Sequence, residues 1–328
     1  MRKQLLLLTV AVFTLSSCGI YSKYKPVAEV PDGLYGDTEE LAADTSNFGN
    51  LSWREVFTDP YLQALIDSAL ARNTDLQTAQ LKVKEAEASL MTSKLSYLPS
   101  LFLAPEGAIS SFDGAKASKT YSLPATASWE IDLFGRLTNA KRRAKAALLQ
   151  TREYKQAVQT QLIAAVSNMY YTLLMLDAQY EIATATEEVW KQSVDATRAM
   201  KAAGMVTEAG LAQTEGTYYN ICTTVLDLKE QINQTQNSLS LLLAEVPHDI
   251  QRGKLAGQVL PESFHTGIPL QMLSNRPDVR SAELSLAQAY YTTNAARSAF
   301  YPSITLGGSA GWTNSAGSMI VNPGKLLA

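Results

Sequence analysis

The chain has 328 residues, 46% of them hydrophobic, and is long enough for one large core or for two domains. Its formal net charge of −3 provides no basic field of the kind that nucleic-acid partners require. The two histidines, His248 and His265, stand in no metal-ligand spacing, and the sequence contains no nucleophile-elbow or nucleotide-binding motif. We therefore expect neither an enzyme nor a cofactor, and we predict no catalytic or metal-binding residue.

The N-terminal residues are typical of an exported protein. Positive charge precedes an apolar run over 5–15, which is shorter than the roughly 20 residues that span a bilayer. Small residues then precede Cys18, as in the bacterial lipobox, and Gly19 is no signal for retention in the inner membrane. We predict a signal peptide over 1–17, lipidation of Cys18 and a tether with little structure over 18–58. The alternative is an ordinary signal peptide with a chance cysteine.

The first structural repeat is predicted over 59–245 and begins with two helices. Asp59 suits the N-cap and Pro60 suits the first helical position. After a break at Asn73, a second helix is predicted from about residue 75 to residue 98.

A β-hairpin is predicted over 100–131. Apolar and polar residues alternate strictly over 121–131, which indicates a strand with one apolar and one polar face. Residues 100–112 supply the partner strand, and 113–116 have turn chemistry, whereas Pro124 fits poorly in a continuous ladder. Each arm, at about ten residues, matches a transmembrane strand. An exposed hairpin on a soluble domain is the alternative.

A long helical hairpin is predicted over 137–245. Neither proline nor glycine occurs over 137–203, which predicts a helix ~100 Å long at a rise of 1.5 Å per residue. Gly204 then breaks the pattern, and a second helix is expected from about residue 207. Apolar residues at alternating steps of four and three form a heptad seam in the long helix: Leu162, Val166, Met169, Leu173, Leu176 and Tyr180.

The pattern of a helix, a proline and a strand occurs twice. Residues 75–99 and 278–302 match with alanines, leucines and the final proline in corresponding positions. A complete second copy would continue with a return strand and a second helical hairpin. Because the sequence ends at Ala328, we expect 246–328 to hold a linker and an incomplete second repeat.

Several motifs together resemble the TolC-type outer-membrane efflux duct family, especially its lipoprotein branch, which serves resistance–nodulation–division pumps. The resemblance implies a mainly α fold with β-hairpins. Long antiparallel helical hairpins would form a trimeric tunnel, and hairpins of three protomers would build a transmembrane β-barrel. Besides the lipobox, the motifs are WREVF at 53–57, WEIDLFGR at 129–136, NRPD at 275–278 and FYPS at 300–303.

The same resemblance implies a function in tripartite efflux. The chain would be a homotrimeric outer-membrane conduit for small molecules, lipid-anchored and extending into the periplasm, with a periplasmic adaptor and an inner-membrane pump as partners. Ala203, Gly204 and Met205 resemble the tip turn that contacts the adaptor, although a plain helix reversal also needs a glycine. The alternatives are a periplasmic helical-hairpin lipoprotein, acting as an adaptor or scaffold, and a non-functional fragment of a duct. The alternating strands between the helices favour the duct.

Overall fold

The computed structural model describes residues 22–26, 52–259 and 275–314. Within these ranges, no helix is both long and apolar enough to cross a membrane. Cys18 and His265 lie outside the described residues. The helices are α1 (Trp53–Val56), α2 (Pro60–Arg72), α3 (Thr74–Leu95), α4 (Arg136–Ala202), α5 (Glu208–Leu242) and α6 (Pro277–Ser298). The strands are β1 (Ser100–Leu103), β2 (Glu106–Ser110), β3 (Ser118–Ile131) and β4 (Ile304–Asn314).

The chain divides into two compact units. The first comprises Met1–Val30, Lys82–Glu153 and Asp278–Ala328, and it contains the sheet. The second comprises Pro31–Leu81 and Tyr154–Pro277, and its described residues are mainly helical.

The hydrophobic core of the second unit is built mainly from α2, α4 and α5. Leu62 and Ile66 of α2 are completely buried one helical turn apart, and Leu239 near the end of α5 is completely buried with them. Burying one leucine or isoleucine side chain contributes about 2 kcal/mol. These contacts place Leu62 and Ile66 on one buried face of the helix that begins at Pro60.

The apolar face of α4 is wider than the predicted heptad seam. Tyr170 and Leu174, outside that seam, are also buried because this stretch of α4 contributes to a core shared with three other helices, including α3 through Leu76. A strict heptad stripe is the narrower pattern of a single coiled-coil contact. Within the seam itself, four members are buried and two are half-buried: Leu162, Val166, Leu173 and Leu176, then Met169 and Tyr180.

The predicted helix starts are confirmed by their capping hydrogen bonds. The Asp59 carboxylate accepts from the amide of Tyr61 at 2.9 Å. The Asn73 side chain accepts from the amides of Asp75 and Leu76 at 2.9 and 3.1 Å, so α3 begins at the predicted break. A short capped helix, α1, also occupies part of the segment expected to be an unstructured tether.

The first unit contains a four-stranded antiparallel sheet with β3 at its centre. The predicted hairpin is confirmed, but its first arm forms two short strands instead of one. The break falls at Ala104 and Pro105, opposite Pro124, and neither proline has an N–H to donate to the ladder. Only the amide of Ala104 bridges the gap, donating to the carbonyl of Pro124 at 3.1 Å. The turn residues Asp113 and Gly114 have φ values of 49° and 74°, as the turn chemistry predicts.

Strand β4, from the second copy of the repeat, pairs with β3 from the first. The antiparallel register runs from Tyr121 opposite Asn314 to Ile131 opposite Ile304. Gly311 lies opposite Pro124, where an added Cβ would come within 2.8 Å of the Pro124 Cα. A glycine at this position therefore lets the two strands approach closely.

Residues 22–26 lie against α4 and α6 in the first unit without forming a helix or strand. The amide of Tyr24 donates to the Tyr291 hydroxyl at 3.3 Å, and the Tyr24 ring meets that of Tyr290 edge-on at 5.8 Å. Arg142 donates to the carbonyl of Ser22 at 3.2 Å. This part of the predicted tether is therefore held by specific contacts.

Candidate functional site at the tip of the helical hairpin

The reversal between α4 and α5 is a tight, glycine-dependent turn. The amide of Gly204 donates to the carbonyl of Lys201, and that of Met205 donates to the carbonyl of Met200, both at 2.9 Å. Gly204 has a φ of 74°. These two bonds and the left-handed glycine define a Schellman cap, which satisfies carbonyls that the end of α4 would otherwise leave unpaired. The predicted helix break at Gly204 is therefore confirmed.

The tip presents an exposed surface around Met205. The Met205 side chain is 76% exposed, and Ala203 and Gly204 are exposed as well. Thr207 then caps α5 by accepting from the amide of Gly210 at 3.2 Å. The caps at the end of α4 and at the start of α5 thus hold the Met205 side chain outward. Methionine is flexible and polarizable, and such side chains are common at adaptable protein-binding surfaces.

Charged side chains connect the two helices next to the tip. Lys201 of α4 pairs with Glu208 of α5. Arg198 of α4 pairs with Glu215 of α5 at 2.9 Å and with Asp195 of its own helix at 3.1 Å. Three of these five side chains are more than half exposed and the other two are about one third exposed. Such ion pairs add little stability, so the caps rather than the charges fix the turn.

The sheet of the first unit has one apolar and one polar face. The side chains on one face are mainly large and apolar, and those on the other are mainly small or polar, with Phe102 as a large apolar exception. The apolar face includes Leu101, Leu103, Tyr121, Leu123, Trp129 and Leu306, all of them more than one third exposed. The polar face includes Ser122, Thr126, Ser128, Thr305 and Ser309.

A buried polar network holds the connection after α5 in the second unit. Asp59 is only 9% exposed, and its Oδ2 accepts from the Tyr170 hydroxyl at 2.5 Å and from Gln258 Nε2 at 2.7 Å. The Tyr170 oxygen in turn accepts from the amide of Gly253 at 3.1 Å. Burial would raise the pKa of Asp59, but the hydrogen bonds from Tyr170, Gln258 and nearby amides outweigh it and lower that pKa. Burial and the bond to Asp59 raise the pKa of Tyr170.

A second contact holds the same connection through a bidentate ion pair. Arg252 donates to both carboxylate oxygens of Asp177, at 2.5 and 2.8 Å, and also to the carbonyl of Ile250 at 2.9 Å. The bond to Asp177 raises the pKa of the Arg252 guanidinium. The residues of this network were not predicted from the sequence, except for Asp59 as an N-cap.

The groups described above either stabilise the structure or lie exposed at its surface. Among the described residues, no cluster of histidine, cysteine, aspartate and glutamate could hold a metal ion. The buried polar groups Asp59 and Tyr170 are engaged with each other and with the connection after α5.

Comparisons with known proteins give a consistent result over nearly the whole chain. The model of the family described as "Outer membrane efflux protein" matches residues 65–245 and 268–324. The toluene efflux pump outer membrane protein TtgC of Pseudomonas putida is 29% identical over 344 residues, covering 100% of this chain and 69% of its own length. The probable outer membrane lipoprotein SilC of Salmonella typhimurium is 29% identical over 304 residues, covering 90% and 65%.

The fold agrees with that of a solved outer-membrane channel. The structure of the open state of the Neisseria gonorrhoeae MtrE outer membrane channel superimposes with a TM-score of 0.76 at 29% identity. The match covers 90% of this chain and 66% of that one. The chain thus spans about two thirds of the length of these relatives.

Proposed function

Because this chain belongs to the outer membrane efflux protein family, we propose that it is a protomer of an outer-membrane efflux duct, a passive conduit for small molecules. The observation that carries the proposal is an antiparallel sheet with one apolar face, joined directly to a helix of 67 residues. The sheet would face lipid, and the helices would extend the passage into the periplasm. In this proposal, 1–17 are a signal peptide, 18–58 a tether, 59–245 the first repeat, and 246–328 a linker and part of the second repeat.

The dimensions of β3 support a place in the bilayer. Tyr121 and Trp129 stand at the two ends of its apolar face and are eight residues apart, about 26 Å at the usual rise of a strand. Transmembrane strands cross the bilayer at a tilt with about 9–11 residues, and aromatic girdles stand at both interfaces. The small and polar residues of the opposite face would line a water-filled interior.

The edges of the sheet support assembly from several copies. Within the described residues, the outer edges of β1, β2 and β4 pair with no further strand. Unpaired backbone groups are costly in lipid, so the sheet must be closed by further strands. We propose that three copies close it as a barrel and that their helices surround one tunnel.

The exposed tip supports contact with a periplasmic adaptor, which would join the duct to an inner-membrane pump. Gly204 has no atom within 4 Å of an added Cβ, so a side chain there would project into solvent rather than into the protein. A bulky residue at Gly204 would therefore obstruct a partner without clashing with the rest of the chain, although it would strain the left-handed turn. Lipidation of Cys18 would add an anchor in the same membrane, as the name of the lipoprotein SilC indicates for that relative.

The duct and the periplasmic scaffold are distinguished by fractionation. We expect the chain to stay with outer membranes after alkaline carbonate extraction and to migrate as a trimer on a native gel. A Cys18→Ala variant should remain membrane-bound if the sheet spans the membrane. Release of that variant as a soluble monomer would favour the lipid-anchored scaffold and refute the duct.

The adaptor contact is tested separately. Gly204→Trp should abolish efflux complementation in a strain that lacks its own duct, while trimers still form. Gly216→Trp serves as the control, because Gly216 lies within α5, away from the tip, and also has no atom within 4 Å of an added Cβ. Normal efflux by Gly204→Trp would refute the docking role without affecting the duct assignment.

A further inference from the structure

The helical segments of the first unit that adjoin the sheet carry basic residues and no acidic ones. Aspartate and glutamate are absent from 88–99, 136–152 and 284–303, although the whole chain has a net charge of −3. We call this set of segments the basic collar. Its basic residues are Lys94, Arg136, Lys141, Arg142, Arg143, Lys145, Arg152 and Arg297.

The lower limit of the basic collar is marked by ion pairs between helices. Arg152 of α4 pairs with Glu87 of α3 at 2.8 Å, and Glu153 of α4 pairs with Arg280 of α6 at 3.1 Å. Acidic residues therefore reappear on α3 and α4 at one level, where they pair with arginines of α4 and α6. That level lies ~24 Å along α4 from Arg136, at 1.5 Å per residue.

The acidic groups next to the strands are already engaged. Glu130 accepts from Arg136 Nε at 2.7 Å. Asp132 accepts from the amides of Leu137 and Thr138 at 3.0 and 2.8 Å and so caps α4. The carboxylates next to the strands are thus engaged by Arg136 of the collar and by the start of α4, not by the lysines of the collar.

Three lysines of the collar are left without a countercharge. Within the described ranges, none of these three side chains forms an ion pair. Two are exposed and one is half-buried: Lys94 and Lys145, then Lys141. A cation without a partner on a protein surface attracts mobile or membrane-bound anions.

These lysines lie on the side of the apolar sheet face. Trp129 belongs to that face, and its indole N–H donates to the carbonyl of Tyr97 at 2.9 Å. The Lys141 ammonium stands over the Tyr97 ring, 4.9 Å from its centroid. Lys145 follows Lys141 by about one helical turn, and Lys94 precedes Tyr97 by three residues, so both share that side.

Arg143 provides an internal comparison. It is exposed and lies in the same stretch of α4, but a step of two residues turns it about 200° away from Lys141 and Lys145. The two sides of α4 can therefore be tested with separate variants.

We propose that Lys94, Lys141 and Lys145 bind the phosphate headgroups of anionic phospholipids in the leaflet nearest the helices. The proposal rests on the proposed function, because the sheet must stand in a bilayer. The two lysines of α4 lie ~8 and ~14 Å along the helix from Arg136, and a headgroup layer adds about 5–8 Å to each side of the hydrocarbon core. Lysine stems extend toward such a layer, and aromatic residues followed by cations are the usual order at a membrane interface.

The test uses the full chain reconstituted into phosphatidylethanolamine vesicles containing 20% phosphatidylglycerol. Electron spin resonance measures the association constant of spin-labelled phosphatidylglycerol relative to spin-labelled phosphatidylcholine in the protein's lipid shell. One lysine near an anionic surface is worth roughly a fivefold preference, which should fall toward one at high salt. Resistance to carbonate extraction reports insertion independently.

The variants distinguish a specific role of the three lysines from a general effect of positive charge. The triple variant Lys94→Gln, Lys141→Gln, Lys145→Gln should lose the preference for phosphatidylglycerol, the corresponding triple arginine variant should keep it, and Arg143→Gln should also keep it. If the glutamine variant does not insert, the test rests on the unmodified chain, whose preference for phosphatidylglycerol should fall toward one at high salt.

Other outcomes would overturn the proposal. Equal association of the two lipids with a normally inserted chain would refute it and leave the proposed function intact. An equal loss in Arg143→Gln would refute the assignment to one side of α4. An unchanged preference in the triple glutamine variant, together with altered ion selectivity, would place these lysines in the tunnel. Failure of the unmodified chain to insert would refute the proposed function itself.

Discussion

The Tyr170 hydroxyl allows a specific prediction, because its single oxygen bonds both Asp59, at the start of α2, and Gly253, in the connection after α5. Tyr170→Phe removes the hydroxyl that donates to Asp59 and accepts from the amide of Gly253, while the buried ring remains. Hydrogen bonds to charged groups are worth ~1.5–3 kcal/mol, and Asp59 would retain the bond from Gln258. We therefore expect the free energy of unfolding to fall by about 2 kcal/mol.

This loss corresponds to a measurable shift in melting temperature. At ~2.1 cal/mol/K per residue, a chain of this length has an unfolding entropy near ~0.7 kcal/mol/K, so 2 kcal/mol lowers Tm by about 3 °C if it melts as one unit. Intrinsic fluorescence during heating in a neutral detergent measures Tm. Hydrogen exchange at the Gly253 amide gives a local readout, and we expect faster exchange in the variant because its acceptor is gone.

The adjacent tyrosine is a matched control. Tyr171 is half-buried beside Phe57, and its hydroxyl makes no hydrogen bond with the described residues. Tyr171→Phe should therefore leave both Tm and exchange at Gly253 nearly unchanged. Equal effects of the Tyr170 and Tyr171 substitutions would refute the role assigned to the buried hydroxyl.

Three further predictions concern the ion pair, the sheet and acid stability. Arg252→Lys loses the bidentate bond to Asp177 and should lower Tm, whereas Arg252→Lys with unchanged Tm would show that the second bond adds nothing. Gly311→Ala should weaken the pairing of β4 with β3, because its Cβ would lie 2.8 Å from the β3 backbone. Gly308→Ala is the control, because an added Cβ there has no atom within 4 Å. Carbonate extraction of membranes compares the two variants. The pKa of Asp59 is lowered in the folded chain, so its contribution to stability is complete above its unfolded pKa of ~3.9 and is lost as pH falls through the folded pKa. Tm measured from pH 7 to pH 3 should fall steeply below about pH 4, and less steeply in Tyr170→Phe; parallel curves would contradict this account.

Features set by local chemistry were predictable from the sequence. Asp59 with Pro60 starts a helix, and Gly204 ends one, because capping depends on a few neighbouring residues. The extent of α4 followed from the absence of proline and glycine. The repeat placed the strand that became β4, although its pairing with β3 was not read from the pattern.

Features that depend on distant partners were not predictable from one sequence. Tyr170 looked like one of many half-polar residues of a long helix, and its partners lie 111 and 83 residues away. The sequence pattern indicated a weak point at Pro124, but it did not show that the partner strand breaks at Pro105, because the pairing of the two strands is not visible in one sequence. At the tip, the turn could be predicted from the sequence, whereas the identity of any protein that contacts it depends on another molecule.

The network around Asp59 also constrains the order in which the second unit can form. Asp59 lies 111 residues before Tyr170 and 199 residues before Gln258. Contacts this distant close large loops, which makes them slow to form. The carboxylate remains hydrated until Tyr170 packs against it, and it gains its last donor only when residue 258 joins the unit. The start of α2 is therefore among the first parts of the unit to exist and among the last to be completed.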